Sequence, residues 1–192
     1  MAEERKGVLQ SVRAGVVDAV RGVGDVASAA VDAVSGTLVS ALKGVHEITD
    51  EATALIFDTV RGVIQGTADV GQDLTKAARG IVVGVIRATK ETGTETMDAV
   101  STTARAVVKA TSEVGGDVVG AARGAVEGAI EGAREAGLSA EQAASAAASG
   151  AVKAAGELGG TVVEQVRSAV TGTISGVKVI LREPFKRDEE EK

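Results

Sequence analysis

Large apolar residues recur along this chain at a spacing of eleven. Fourteen of the seventeen positions reached from Leu9 in steps of eleven are large and apolar. In the first third of the chain the apolar residues follow a 3-4-4 spacing, which returns to the same side of an α-helix after three turns. A period of about 3.67 residues per turn is typical of nearly straight helices with a slight right-handed drift. The pattern therefore predicts an all-α fold of elongated amphipathic helices.

The same period sorts the other residue types into stripes along the predicted helices. The apolar face, predicted to contact a lipid surface or a partner helix, comprises Leu9, Val20, Val31, Leu42, Ile64, Ile86, Met97, Val108, Val119, Ile130, Val152, Val163 and Ile174. One side of it is a small-residue packing edge of Gly22, Gly44, Gly66, Ala77, Ala88, Ala99, Ala110, Ala121 and Gly132. The other side is a basic edge of Arg13, Arg79, Lys90, Arg123, Arg134, Arg167 and Lys178. Acidic residues occupy the far side, so the charges are separated by angle as in an amphipathic helix.

The chain also has a longer repeat of 44 residues, which equals four of the 11-residue periods. The segment TADVGQDLTKAARGIVVG (67–84) matches TSEVGGDVVGAARGAVEG (111–128) at ten of eighteen positions. We interpret the chain as a lead (1–7), a repeat region (8–181) and a charged tail (182–192). The repeat region divides into four tandem units at about 6–49, 50–93, 94–137 and 138–181.

Residues that typically start or end helices lie at the unit boundaries. Thr49 and Ser139 are residues that cap helix starts, and Pro184 ends the last unit. The 11-residue register nevertheless crosses every boundary without a slip. Two architectures stay open: a nearly continuous rod of about 250 Å, or four helices of about 40 residues folded into a long bundle or an oligomeric coiled coil.

The composition favours a long, narrow apolar seam over a thick core. The chain has 25 glycines but only two aromatic residues, Phe57 and Phe185, and most of its large apolar residues are valine. It has no cysteine. The single histidine, His46, is interpreted as a solvated edge residue, and no combination of side chains resembles a catalytic, cofactor or metal site. We therefore expect no enzymatic activity, no cofactor and no metal.

The charge distribution and hydropathy limit the classes of binding partner that this protein is expected to have. A net charge of -6 gives no basic surface for nucleic acid. No stretch is long and apolar enough to span a membrane, and the N-terminal sequence does not resemble a secretory signal. We expect a cytoplasmic protein, or one that lies peripherally at the inner face of a membrane or on a storage granule. Its expected partners are a lipid surface, copies of itself in a homo-oligomer, or a larger protein complex.

The segments VGGDVVGAARGAVEGAIEGA (114–133) and VRGVIQGTADVGQDLTKAARGIVVGVIRATKETG (60–93) resemble known 11-residue repeats. Similar repeats occur in synucleins, perilipins, exchangeable apolipoproteins and group 3 late-embryogenesis-abundant proteins. The resemblance implies helices that form on a lipid surface and lie in its plane. This chain departs from the pattern because bases flank only one side of its apolar face.

Three functions follow as hypotheses. The first is an amphipathic coat on a lipid, membrane or storage-droplet surface. The second is a self-assembling scaffold, such as a subunit of a membrane-linked redox complex, with an apolar seam or channel. The third is a protectant against desiccation or other stress. The coat predicts helix formation only with lipid, whereas the scaffold predicts helices without it.

Overall fold

The computed structural model describes residues 2–23 and 25–181. The described part of the chain forms eight helices followed by one β-hairpin. The helices are α1 (Ala2–Val23), α2 (Val26–Leu42), α3 (Asp50–Asp69), α4 (Leu74–Thr92), α5 (Thr96–Glu113), α6 (Val118–Ala136), α7 (Ala140–Leu158) and α8 (Gly160–Val170). The strands are β1 (Gly172–Ile174) and β2 (Val177–Val179).

The helices form two layers. Helices α1 to α7 each pack most extensively on a helix two positions away along the chain, and α8 packs on both α7 and α6. Thus α1, α3, α5 and α7 build the odd layer, and α2, α4, α6 and α8 build the even layer. Consecutive helices are joined by short turns and contact each other across the two layers. The result is a stack of helical hairpins in which each hairpin buries its apolar side against its neighbours.

Left-handed glycines end the helices at a constant spacing. Gly71, Gly93, Gly115 and Gly137 lie 22 residues apart and have φ between 66° and 75°. After each of them, the next residue donates its N–H to a carbonyl five residues back; the donor and acceptor pairs are Gln72 to Thr67, Thr94 to Thr89, Gly116 to Thr111 and Leu138 to Ala133. This is the Schellman geometry, which satisfies the free carbonyls of a helix end and suits glycine because it has no Cβ.

The caps of the following helices repeat with the same spacing. Asp73, Glu95, Asp117 and Ser139 each stand two residues after one of these glycines, and each side chain accepts a backbone N–H of the next helix. Such capping satisfies donors that have no partner within the helix. A glycine stop followed by a capped start therefore turns the chain once every 22 residues.

The all-α tandem-repeat fold predicted from the sequence is confirmed, but the helices are shorter than expected. Each 44-residue unit turns in the middle as well as at its end, which gives helical hairpins rather than a rod or four helices of double length. The turns at Gly71 and Gly115 were missed because the 11-residue register continues through them. The first helix begins at Ala2, so the predicted lead is already helical from residue 2.

The last unit departs from the helical prediction. Helix α8 ends at Val170, and the chain then forms an antiparallel hairpin in which Ile174 pairs with Val177. Ile174 and Lys178, predicted on helix faces, therefore lie on strands. Ser175 and Gly176 occupy the turn with φ of 48° and 78°, the two positive values of a type I′ turn. Alternating β-branched residues around a Ser-Gly pair favour this hairpin over a further helical turn.

The core is the seam between the two layers. It consists of alanine and valine with a few larger side chains such as Leu38, Leu42, Ile56 and Ile81. Ile174, Val177 and Val179 of the hairpin join it, and β2 packs on α7. The predicted thin apolar seam matches this interior. The charged tail (182–192), with Pro184 and Phe185, lies outside the described residues.

Candidate interaction surfaces

The closest helix contacts place a glycine of one helix against a backbone carbonyl of the helix before it in the same layer. A Cβ added to Gly62 of α3 would stand 2.9 Å from the carbonyl oxygen of Leu9, and one at Gly66 would stand 2.8 Å from that of Arg13. The other close pairs are Gly80 with Ala27, Gly84 with Val31, Gly124 with Thr75, Gly128 with Arg79, and Gly150 with Ser101. At this separation Cα–H groups approach carbonyl oxygens, and a side chain has no room.

The predicted small-residue edge takes part in this close packing from α3 onward. Its members Gly66, Ala77, Ala88, Ala99, Ala110, Ala121 and Gly132 are all buried. Gly22 and Gly44 are exposed, and Gly44 lies in the α2–α3 connection with φ of 83°. These last two residues therefore contribute no buried helix contact.

About half of the residues of the predicted apolar face are buried inside the chain. Val20, Leu42, Ile64, Ile86, Val108, Ile130 and Ile174 are buried. The other six are partly exposed: Leu9, Val31, Met97, Val119, Val152 and Val163. The two groups alternate along most of the chain because each 22-residue step brings the same position to the seam between the layers. The partner of the buried group is another helix of the same molecule.

The predicted basic edge lies on the surface. All seven residues are exposed, and four of them bind atoms of another helix or of the hairpin. Arg13 pairs with Asp69 at 2.5 Å, Arg79 pairs with Glu131 at 2.5 Å, Lys90 donates to the carbonyl of Ala136, and Arg134 donates to the carbonyl of Ser175 at 3.0 Å. Arg123 pairs within α6 with Glu127, while Arg167 and Lys178 project from α8 and β2.

Ion pairs connect neighbouring helices of each layer. On the odd layer, Arg61 pairs with Glu113 at 2.8 Å, and Arg105 pairs with Glu157 at 2.5 Å, exactly one 44-residue unit later. On the even layer, Arg87 pairs with Glu135 at 2.9 Å. The acidic residues were predicted only to lie on the far side of the helices, and no role was predicted for these arginines. The matching 44-residue steps from Arg61 to Arg105 and from Glu113 to Glu157 were the available signal.

Three residues in these ion pairs have shifted pKa values: Arg13, Arg79 and Glu157. The hydrogen bond to Asp69 and its charge raise the pKa of Arg13, and the hydrogen bond that Arg79 donates to Glu131 raises the pKa of Arg79. Hydrogen bonds from Lys109 and Arg105 lower the pKa of Glu157. Because the side chains remain partly exposed to solvent, each pair stabilises the stack only modestly.

A groove of about 270 Å³ opens between α3 and α5 on the odd layer. Its lining includes Phe57, Ala54 and Arg61 of α3, with Ala106 and Ala110 of α5 opposite. These two alanines stand 44 residues after Gly62 and Gly66, which bring α3 into close contact with α1. The methyl groups of Ala106 and Ala110 therefore stand at the α3–α5 contact, at the positions where glycines lie at the α1–α3 contact. Phe57, half-buried, is the aromatic residue of the described part of the chain.

A second groove of about 260 Å³ lies on the even layer. It runs along α6 beside Arg79 and ends at Ser175 of the hairpin turn. Glu131, Glu135 and Arg134 line it, and these residues are engaged in the ion pairs and hydrogen bond described above. The groove on the odd layer is lined by two acidic and two basic side chains, whereas the groove on the even layer is lined by three glutamates and two arginines.

The described residues contain no cluster of three or more histidine, cysteine or acidic side chains suited to hold a metal ion. His46 is exposed in the α2–α3 connection, where its carbonyl accepts the N–H of Glu95. Within residues 2–23 and 25–181, no helix combines the length and apolar character needed to cross a membrane.

No protein-family model matches the chain, and no curated protein matches it in sequence. Among solved structures, the chain is similar to a de novo designed helical repeat protein, with 17% sequence identity and a TM-score of 0.49. That similarity covers 88% of this chain and 92% of the designed protein.

Proposed function

We propose that this protein is a non-enzymatic scaffold, a single-chain stack of helical hairpins that holds its two layer surfaces in fixed positions for protein partners. The observation that carries the proposal is the burial of the apolar stripe within the chain. Ile64, Ile86 and Val108, at successive 22-residue steps, are each fully buried in the seam between the layers. Helices that bury their apolar sides against each other need no lipid surface to become stable.

The close glycine contacts support the same function. Backbone-to-backbone packing along both layers fixes the distance and angle between neighbouring helices more narrowly than side-chain contacts do. Opening such a stack onto a lipid surface would expose the glycine faces and break the ion pairs of Arg13, Arg61 and Arg105. An amphipathic coat is therefore the second candidate, and it requires the seam to separate.

The grooves and ion-paired rows are the surfaces on which a partner would bind. Phe57 supplies an aromatic contact between charged neighbours, an arrangement common at protein interfaces. A homo-oligomer is not required to complete the fold, because the four units provide each other's packing surfaces.

Far-UV circular dichroism of the purified chain at micromolar concentration, with and without anionic vesicles, tests the proposal. We expect a helical spectrum in buffer that vesicles leave unchanged, and no flotation of the protein with them. A matched variant, Ile86→Asp, separates packing from intrinsic helix propensity, because it should lower helicity in buffer only if the seam is the source of stability. A coil that becomes helical and floats with vesicles would overturn the scaffold and support the coat.

A further inference from the structure

In α4 and α5, the residue that faces the preceding helix of the layer lies five positions after a residue whose carbonyl contacts the following helix. Glycines of α6 lie against the backbone carbonyls of Thr75 and Arg79 in α4, and we call such a carbonyl a receiving carbonyl. The residues five positions later, Gly80 and Gly84, face α2. The same five-residue relation holds in α5, where Ser101 receives Gly150 and Ala106 lies five positions later. A residue five positions after a receiving carbonyl therefore faces the preceding helix of its layer.

Glycine or alanine occupies every such position in the interior of the stack. The pairs are Gly62 and Gly66, Gly80 and Gly84, Ala106 and Ala110, Gly124 and Gly128, and Gly150 and Ala154, from α3 to α7 in order. All ten residues are buried. Small residues at these positions permit the close approach of the preceding helix.

Applied to the first two helices, this five-residue relation identifies the face at the N-terminal end of the stack. The receiving carbonyls of α1 belong to Leu9 and Arg13, so the outward positions are Ala14 and Asp18. Those of α2 belong to Ala27 and Val31, so the outward positions are Asp32 and Gly36. All four residues are exposed, and a Cβ added at Gly36 would meet nothing within 4 Å.

This face has the geometry of an interior contact but carries one aspartate in each helix. We propose that Asp18 and Asp32 close the N-terminal end of the stack, so that a second copy of the chain cannot pack its own α1 and α2 against it. Such a pairing is two-fold symmetric and brings the same carboxylates of both copies into one contact. Each carboxylate would lose water in the contact, and the carboxylates of the two copies would repel each other. Arg21, exposed one turn after Asp18, is the nearest base to Asp18 along α1.

The opposite end of the odd layer is closed by a different element. Strand β2 packs on α7, and Ser145, one unit after Ser101, is buried there. A copy therefore has no interior-like face at that end of the layer to offer to another copy's α1. Among the described residues of the odd layer, the N-terminal face therefore lacks the covering element that β2 provides at the other end.

Sedimentation equilibrium over a wide concentration range tests the proposal with the full chain. We expect the natural protein to remain a monomer and the double variant Asp18→Ala, Asp32→Ala to form dimers, with self-association at least about tenfold tighter. Circular dichroism should show unchanged helicity, because alanine favours exposed helical positions. The control double variant Glu91→Ala, Glu164→Ala changes the net charge equally at exposed sites on α4 and α8 and should stay monomeric.

Two results would overturn the proposal. One is a double variant that remains as monomeric as the natural protein at every concentration. The other is a natural protein that already dimerises and loses its dimer when Ala14→Arg is introduced on this face, since the aspartates would then permit the contact that they are proposed to prevent.

Discussion

Gly66 of α3 lies against the carbonyl oxygen of Arg13 of α1, so close that a Cβ at Gly66 would stand 2.8 Å away from it. The same Arg13 extends its guanidinium to Asp69, one helical turn after Gly66. Backbone packing and an ion pair thus join the same two helices at neighbouring turns. The packing sets the distance at which the ion pair forms.

Replacement of Gly66 by valine should destabilise the fold by about 1–3 kcal/mol, because α1 must move to admit the side chain. Chemical denaturation followed by circular dichroism measures the change. The matched control is Gly15→Ala in α1, where a Cβ meets nothing within 4 Å. That control should raise the free energy of unfolding by up to about 1 kcal/mol. Equal effects of the two variants would contradict the close packing of α3 on α1.

Gly115→Ala should lower the free energy of unfolding by about 1–2 kcal/mol, because φ of 69° at this turn is unfavourable for a residue with a Cβ. Gly156→Ala, at an exposed position inside α7, is the matched control and should be stabilising. Thermal melts of both variants check the difference. A neutral Gly115→Ala would mean that α5 continues through this turn.

Acid should weaken the α5–α7 contact through Glu157. Lys109 and Arg105 lower the pKa of this carboxyl in the folded chain, so its contribution to stability is present above the unfolded pKa. The contribution is lost as the pH falls through the folded pKa. Glu157→Gln should therefore lose less stability than the natural protein between pH about 7 and about 3.

Denaturation midpoints at the two pH values measure this loss. Glu164→Gln on α8 is the control, because Glu164 makes no ion pair with another described residue, and it should follow the natural pH profile. An unchanged pH dependence of Glu157→Gln would show that the pair with Arg105 and Lys109 contributes nothing to folding.

The hairpin should contribute to the core although it lies near the end of the described chain. Ile174 is only 5% exposed, so Ile174→Ala should cost about 2–4 kcal/mol where the site cannot collapse. Thr173 on the same strand is exposed, and Thr173→Ala should change stability by less than about 0.5 kcal/mol. Hydrogen exchange of α7 amides provides a second measurement, since loss of the hairpin contact should raise their exchange rates.

The sequence predicted which residues share a helix face and the helix starts at Thr49 and Ser139, but not the turns inside the units. The small-residue edge around Ala77, Ala88 and Ala99 follows from spacing alone, and all three residues are buried. Gly71 and Gly115 keep the 11-residue register on both sides, so periodicity contains no break at these turns. Their 22-residue spacing, and the caps two residues later, carried the missing information.

The surfaces were less accessible to sequence analysis than the fold. An ion pair such as Arg61 with Glu113 joins residues 52 apart, and that separation depends on where two intervening turns fall. In the first unit, the residues that meet across neighbouring helices are farther apart along the chain than in the later units. Gly62 meets a residue 53 positions earlier, whereas Gly150 meets one only 49 positions earlier, an excess of one helical turn. The longer α2–α3 connection absorbs this difference without disturbing the apolar stripe.

From Gly71 to Gly137 the turns are evenly spaced, so this part of the molecule could change length in fixed steps. An insertion or deletion of 44 residues at a turn adds or removes one helix in each layer and restores every downstream pairing. A change of 22 residues would instead move each later helix to the opposite layer and separate the ion pairs that join a helix before the change to one after it. Selection for intact packing would therefore favour relatives whose lengths differ by whole helical hairpins. Such relatives would keep the first and last elements of the stack and differ in the number of hairpins between them.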